Sequence, residues 1–226
     1  MIDESPAGRQ IAPRAPPPGV LAIGQLRDGL EFLRGFARHP AQVGSVVPSS
    51  RYLEQRVVHE ARLGEAQTVV ELGPGTGGTT TAFLRAMPAG ARLLAVELDP
   101  DFHRHLCRLL ADPRLIPELG SAERLADFVA AHRLPAPEAI VSGIPFSTME
   151  SEAACRIAAA IAQVLRPGGR FVAYQVRAHV AGFVAPYLGL PKTQWEVVNV
   201  PPMRVFTWVK PGAGPSRCGR ANRELG

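Results

Sequence analysis

At 226 residues the chain is long enough to bury the core of one α/β domain with modest appendages, and 46% apolar with 20% charged residues excludes a fibrous repeat or a wholly disordered regulator. Lysine plus arginine outnumber aspartate plus glutamate by 25 to 20, and the resulting +5 favours a polyanionic surface, either nucleic acid or an anionic membrane face. A plain, solvated, Arg-rich exterior is the alternative reading. The three cysteines, Cys107, Cys155 and Cys218, suit neither a disulfide framework nor a zinc site, so no metal is expected and a reducing cytoplasm is. Met1 to Glu4 is acidic and no apolar stretch follows, which predicts no signal peptide; no run is long enough for a membrane span, so any membrane contact is expected to be peripheral, at the inner face.

Residues 1–19 carry Pro6, Pro13, Pro16, Pro17 and Pro18 without an apolar period and read as a disordered leader. Residues 20–64 read as an N-terminal amphipathic and capping segment. Within it Leu26, Leu30, Leu33 and Phe36 recur at helical spacing, with Arg27, Arg34 and Arg38 on another face, which predicts a basic amphipathic helix over 26–39. Periodicity alone favours packing on a core; the alternative is an interfacial helix with its arginines on anionic phosphates. After an irregular stretch, Ser49 or Ser50 is placed to N-cap a helix from Arg51 to Arg62.

A single α/β domain is expected over 65–210. Val69-Val70-Glu71-Leu72 reads as a buried strand that turns at Gly73, Gly75 and Gly77 into a helix to Met87. Arg92 to Val96 is the second strand, closed by Glu97-Leu98-Asp99, and Pro100 to Leu110 the next helix. Arg114 to Leu119 is a third strand whose Pro117 argues for an edge; Gly120-Ser121-Ala122 ends it, and a helix runs to His132. Glu138 to Ser142 is the fourth strand and runs into the loop Ser142-Gly143-Ile144-Pro145-Phe146. A long Ala-rich helix, Glu150 to Arg166, stops at Pro167-Gly168-Gly169 before the fifth strand, Arg170 to Val176, and a helix to about Leu188. Trp195 to Val200 and Val205 to Lys210 read as a closing hairpin, and 211–226 as a disordered basic tail with Arg217, Arg220 and Arg223.

Glycines at a strand-to-helix elbow let a ligand lie against the main chain, and a carboxylate a little over twenty residues on, Glu97, is placed to accept hydrogen bonds from ribose hydroxyls. Glu71-Leu72-Gly73-Pro74-Gly75-Thr76-Gly77 resembles the first motif of the class I S-adenosylmethionine-dependent methyltransferases. The resemblance implies a Rossmann-like α/β fold with a seven-stranded, mostly parallel sheet, a C-terminal antiparallel hairpin and helices on both faces. It also implies S-adenosyl-L-methionine as cofactor, with Glu71, Gly73, Gly75 and Gly77 at the methionine moiety and Glu97 with Leu98 at the ribose. Gly120, Ser121 and Ala122 then border the adenine. Many members carry Asp where Ser121 stands, so that contact passes here to the backbone or the hydroxyl.

Phe32-Leu33-Arg34 through Pro40, Val43-Gly44-Ser45 and Pro48-Ser49-Ser50 resemble the N-terminal signature of the bacterial phospholipid N-methyltransferases, which methylate the amine of phosphatidylethanolamine; a related group methylates ornithine lipids. The likeness runs from about Phe32 to Lys210, with Phe36 where Trp is common. It implies phosphatidylethanolamine methylation at an anionic membrane surface reached through the helix 26–39, and adds Ser50, Ser142 and Gly143 to the cofactor-binding set. On this reading Ser142 and Tyr174 position the amine and Pro145 shapes the pocket. The amine must lose a proton before displacement at a sulfonium methyl; burial lowers its pKa, and His39 and His179 are the candidate acceptors. Tyr174 and Gln175 alternate along their strand, so at most one of them is expected to reach the crevice.

The loop 142–146 also resembles the Asn-Leu-Pro-Tyr/Phe motif of the RNA adenine dimethyltransferases, with Gly143 where Asn stands. Ribosomal RNA adenine N6-methylation is therefore a rival, as is ornithine lipid methylation. No aromatic-interleaved basic patch for single-stranded RNA stands out, so no stable nucleic-acid partner is expected. A silent binding module that keeps the fold and only docks is a third reading. The oligomeric state is left open.

Overall fold

A computed structural model describes residues 50–109, 111–199 and 201–212. The leader 1–19, the basic helix 26–39 with His39, and residues 213–226 of the tail lie outside the described residues. β1 (Thr68–Leu72), β2 (Arg92–Glu97), β3 (Leu115–Leu119), β4 (Ala139–Ser142) and β5 (Arg170–Gln175) run parallel. β6 (Lys192–Glu196) and β7 (Met203–Val209) form an antiparallel hairpin, and the seven-stranded order is β3-β2-β1-β4-β5-β7-β6. The chain builds outward from β1 through β2 to β3, then returns to place β4 on β1's other side. That reversal opens a crevice beyond the carboxyl ends of β1 and β4.

The central strands are apolar on both sides, as a sheet covered on both faces requires, and all five residues of β1 are buried. α1 (Arg51–Glu60) and α2 (Gly78–Ala86) cover one face through Leu53, Val57, Phe83 and Leu84 against Val69, Leu93, Val141 and Val172. α4 (Leu125–Ala131), α5 (Ser151–Val164) and α6 (His179–Leu188) cover the other through Phe128, Ile157, Ile161 and Val184, while α3 (Pro100–Leu109) packs on β2 and β3. α1 shares its core with the strands. Its C-terminal Glu60 accepts from Lys192 Nζ (3.1 Å) and Thr207 Oγ1 (3.2 Å), which pins it to the hairpin. Pro117 lies on the edge strand β3, as its missing N–H demands. No helix among the described residues is long and apolar enough to cross a membrane.

The hairpin departs from expectation. β6 begins at Lys192 and ends at Glu196, and β7 begins at Met203. Val197 and Val198 fit a strand by propensity, but the Glu196 carboxylate turns back to accept the Val198 N–H (3.1 Å) and to pair with Arg56 (2.8 Å). Asn199 completes the turn by donating to the Pro201 carbonyl (2.9 Å) while its Oδ1 accepts the Ser50 N–H (2.9 Å). Side-chain capping has overridden β propensity. The stretch 122–132 is likewise divided: Ser121 caps a 3₁₀ turn, Ala122–Arg124, through the Glu123 N–H (3.2 Å) before α4 begins.

On the α4–α6 face Phe171 is fully buried and stacks on Trp208 (centroids 5.1 Å), whose indole N–H donates to the Gly189 carbonyl (3.0 Å). Replacing Phe171 by Ala should lower unfolding free energy by about 3–5 kcal/mol in urea melts, since the stack cannot close over the void.

Candidate functional site

β1 is turned into α2 by Gly73, Gly75 and Gly77 at φ 74°, 55° and 79°, a left-handed region closed to most side chains. The Gly73 N–H donates to the Val96 carbonyl (3.0 Å) and the Gly77 N–H to Pro74 (3.0 Å), so the turn is fixed to β2 and to itself. Among the described residues a Cβ on Gly75 would meet nothing within 4 Å, so none of them walls off that face of the turn.

Two buried carboxylates flank the turn. Glu97, 4% exposed at the end of β2, accepts the Gly75 N–H (2.9 Å) on one oxygen and the Asp99 N–H (2.9 Å) on the other. Burial raises its pKa, and those N–H donors restrain the rise. Glu71, 1% exposed, accepts the Thr79 hydroxyl on Oε1 (2.6 Å), while its Oε2 makes no hydrogen bond among the described residues, with the Thr80 hydroxyl nearby. Burial pushes this carboxyl up to about 7 against the pull of the Thr79 hydroxyl.

The loop after β4 closes the crevice. The Gly143 N–H donates to the Leu72 carbonyl (2.9 Å), and a Cβ on Gly73 would stand 3.1 Å from the Ile144 side chain, so the two loops are in contact. A Cβ on Gly143 would lie 2.6 Å from the Tyr174 hydroxyl, which fills the space a side chain there would need. That hydroxyl faces Thr79 and Glu71; burial first, and the Glu71 charge second, raise it above the ordinary phenol range, so it stays protonated. Gln175 reaches the same loop from the opposite side of β5 and donates to the Ile144 carbonyl (2.6 Å). Both residues therefore touch the loop, one from each face of β5, as their alternation requires. The loop folds across the strand end and meets both faces.

The remaining sequence-selected residues are dispersed around this centre. Ser142 is fully buried and its Oγ accepts the Ile144 N–H (3.2 Å), so it shapes the loop from within. Pro145 opens the 3₁₀ turn Phe146–Thr148, and its carbonyl takes the Thr148 hydroxyl (2.9 Å). Ser50 caps α1 through the Leu53 N–H (3.2 Å). Leu98 is partly exposed beside Glu97, and Ala122 is buried. Phe128 packs so closely on Gly120 that a Cβ there would meet its ring at 2.6 Å. His179 is exposed at the start of α6, beside a shallow hollow shared with Ala178, Gly182 and Phe183. Among the described residues no group of His, Cys, Asp and Glu is arranged to hold a metal. Thr79 is the partner that the sequence alone did not single out.

No protein-family model matches the chain. It is 29% identical over 147 residues to an ornithine lipid N-methyltransferase of Singulisphaera acidiphila, a match spanning 65% of this chain and 77% of that protein. It is 40% identical over 96 residues to a ribosomal RNA small subunit methyltransferase A of Nocardia farcinica, spanning 41% of this chain and 32% of that enzyme. Among solved structures it resembles the O-methyltransferase TomG of Streptomyces achromogenes, described in complex with SAM, at TM-score 0.59 and 16% identity over 83% of this chain and 89% of that one. The fold is that of the class I methyltransferases.

Glu71 generates a pH prediction. Its folded value of about 7 lies above the ordinary 4.5, so between those values the folded chain binds more protons than the unfolded one and stability falls as pH rises through the window. Relative to wild type, Glu71→Gln should gain roughly 3 kcal/mol between pH 4.5 and 8 in denaturant titrations without added ligand. A double-mutant cycle should find that Gly143→Ala, expected to cost about 1–3 kcal/mol alone, costs at least ~1 kcal/mol less in a Tyr174→Ala background.

Proposed function

We propose that the protein is an S-adenosylmethionine-dependent N-methyltransferase acting on the primary amine of a membrane lipid head group. The observation that carries this reading is the likeness to an ornithine lipid N-methyltransferase across most of both chains, which puts ornithine lipid ahead of phosphatidylethanolamine as the first substrate to try.

The residues fit the cofactor. Glu71 Oε2 is a buried acceptor without a hydrogen bond among the described residues, suited to an ammonium or a water-mediated contact at the methionine end. Gly75 leaves main chain open to a close approach. The Glu97 carboxylate, oriented by two N–H donors, is the group for ribose hydroxyls. The Ser121 Oγ accepts the Glu123 N–H, which fixes the hydroxyl beside the Gly120 and Ala122 backbone and leaves its O–H free to donate to the adenine.

When bound, S-adenosylmethionine supplies an electrophilic methyl on its sulfonium. The chain's own task is to present a neutral amine in line with it. Tyr174 holds its proton at neutral pH, so it serves as a neutral hydrogen-bonding group that orients the amine and is no base. The crevice between the two loops removes water, which lowers the amine's own pKa, and orientation supplies further rate.

The local match to ribosomal RNA methyltransferases is the second reading. Its chemistry needs an amide at the loop position that Gly143 occupies, and the Tyr174 hydroxyl stands where that side chain would go. The lack of space there argues against the RNA reading.

Purified protein incubated with methyl-labelled S-adenosylmethionine and, in parallel, ornithine lipid, phosphatidylethanolamine in anionic vesicles and ribosomal RNA should move label into a lipid. Tyr174→Phe should lower that turnover by about 10- to 100-fold with cofactor binding intact. Label in RNA alone would overturn the proposal.

A further inference from the structure

At the same end of the sheet as the crevice, the described residues leave an apolar rim without a partner among themselves. Val197 and Val198, on the turn after β6, are 69% and 55% exposed, Trp195 50% and Tyr52 42%. The Ser50 N–H on Asn199 (2.9 Å) and Arg56 on Glu196 (2.8 Å) fasten α1, and with it Tyr52, to the turn, while Trp195, which alternates with Glu196 and is registered against Arg204, flanks the turn from the other face of the sheet. Guanidinium groups sit over both aromatics, Arg204 at 4.4 Å from the Trp195 ring and Arg51 at 4.9 Å from the Tyr52 ring. The carboxylate of the turn, Glu196, is only 4% exposed and already ion-paired, so it does not oppose an anionic surface.

We propose that this rim is where the protein docks on an anionic lipid bilayer, an inference that rests on the lipid-amine reading above. Two observations select a bilayer as the occupant. The first is the composition: aliphatic tips, amphipathic rings and arginines laid along them match the apolar, interfacial and phosphate levels of a membrane surface. The second is position. Arg204 is registered against Gln175, which holds the Ile144 carbonyl at the crevice loop, and Val205 is registered against Tyr174. The turn therefore lies at the same end of the sheet as the crevice, the carboxyl end of β5. A head group that enters while its acyl chains stay in the bilayer requires the membrane at that end. The turn that broke β6 early thus puts Val197 and Val198 at the surface as the inserting tip.

The test is flotation of the full chain with vesicles of phosphatidylglycerol and phosphatidylcholine, against phosphatidylcholine alone. Wild type should bind the anionic vesicles. Val197→Ser combined with Val198→Ser should weaken binding about tenfold or more, and Arg51→Gln about fivefold, with melting curves and S-adenosylmethionine binding unchanged. Methyl transfer to a monomeric short-chain lipid amine should persist in the serine variant and transfer to vesicle lipid should fall. Unchanged vesicle binding by that variant, with lipid methylation intact, overturns the rim and leaves the activity standing. Vesicle binding lost in the variant, when wild type labels RNA alone, supports the rim and removes the substrate reading. Wild-type self-association that the variant abolishes, with vesicle binding unchanged, overturns the bilayer in favour of a second copy.

Discussion

The left-handed elbow at Gly73, Gly75 and Gly77 is the constraint from which the rest of the site follows. It folds α2 back onto the sheet, and with it Thr79, whose hydroxyl donates to one oxygen of Glu71. It exposes the Gly75 N–H to Glu97 and so couples the ends of β1 and β2. Because Gly73 carries no side chain, the β4 loop can lie on it, and only then does Gly143 come under the Tyr174 hydroxyl. A Cβ at Gly73 would meet backbone strain as well as Ile144. The elbow is thus a determinant of both halves of the crevice.

How much of this is legible in the sequence differs by the kind of constraint. The elbow is legible because a backbone conformation dictates the residue: glycine at alternate positions after a β-branched run has few other uses. The parallel strands are legible because burial on both faces writes continuous apolar runs, and Pro117 marks its edge by what it cannot donate. The hairpin boundary is not legible, because its turn is decided by contacts from 140 or more residues away, Arg56 on Glu196 and Ser50 on Asn199. Local propensity in Trp195-Glu196-Val197-Val198 points to a strand, and tertiary contacts prevail.

The candidate site shows the same division. Glu71, Glu97 and the glycines stand where spacing puts them, since each belongs to a strand end. Alternation along β5 separates Tyr174 from Gln175, yet both touch the 143–144 loop, because alternation describes the strand and says nothing of a loop that crosses its end. Ser142 looked available from its place after β4, and its hydroxyl is instead taken up inside the loop. Side-chain hydroxyls compete for local N–H groups, and that competition is invisible to motif spacing.

Glu71 gives the arrangement its thermodynamic character. A carboxylate buried with one oxygen making no hydrogen bond among the described residues is a net cost in the folded chain at neutral pH, and an amide of the same shape would remove it. Neighbouring Glu97 adds to the cost, its charge raising Glu71 further. Two like-charged groups held apart by a turn with an open face form a site that is destabilised alone and relieved by any ligand bringing hydrogen-bond donors or positive charge. Thr79 and the N–H groups at Gly75 and Asp99 keep both carboxylates oriented meanwhile, so little reorientation opposes binding. On the cofactor reading proposed above, the stability forgone in the free protein becomes available as affinity for a cationic, hydroxyl-bearing ligand.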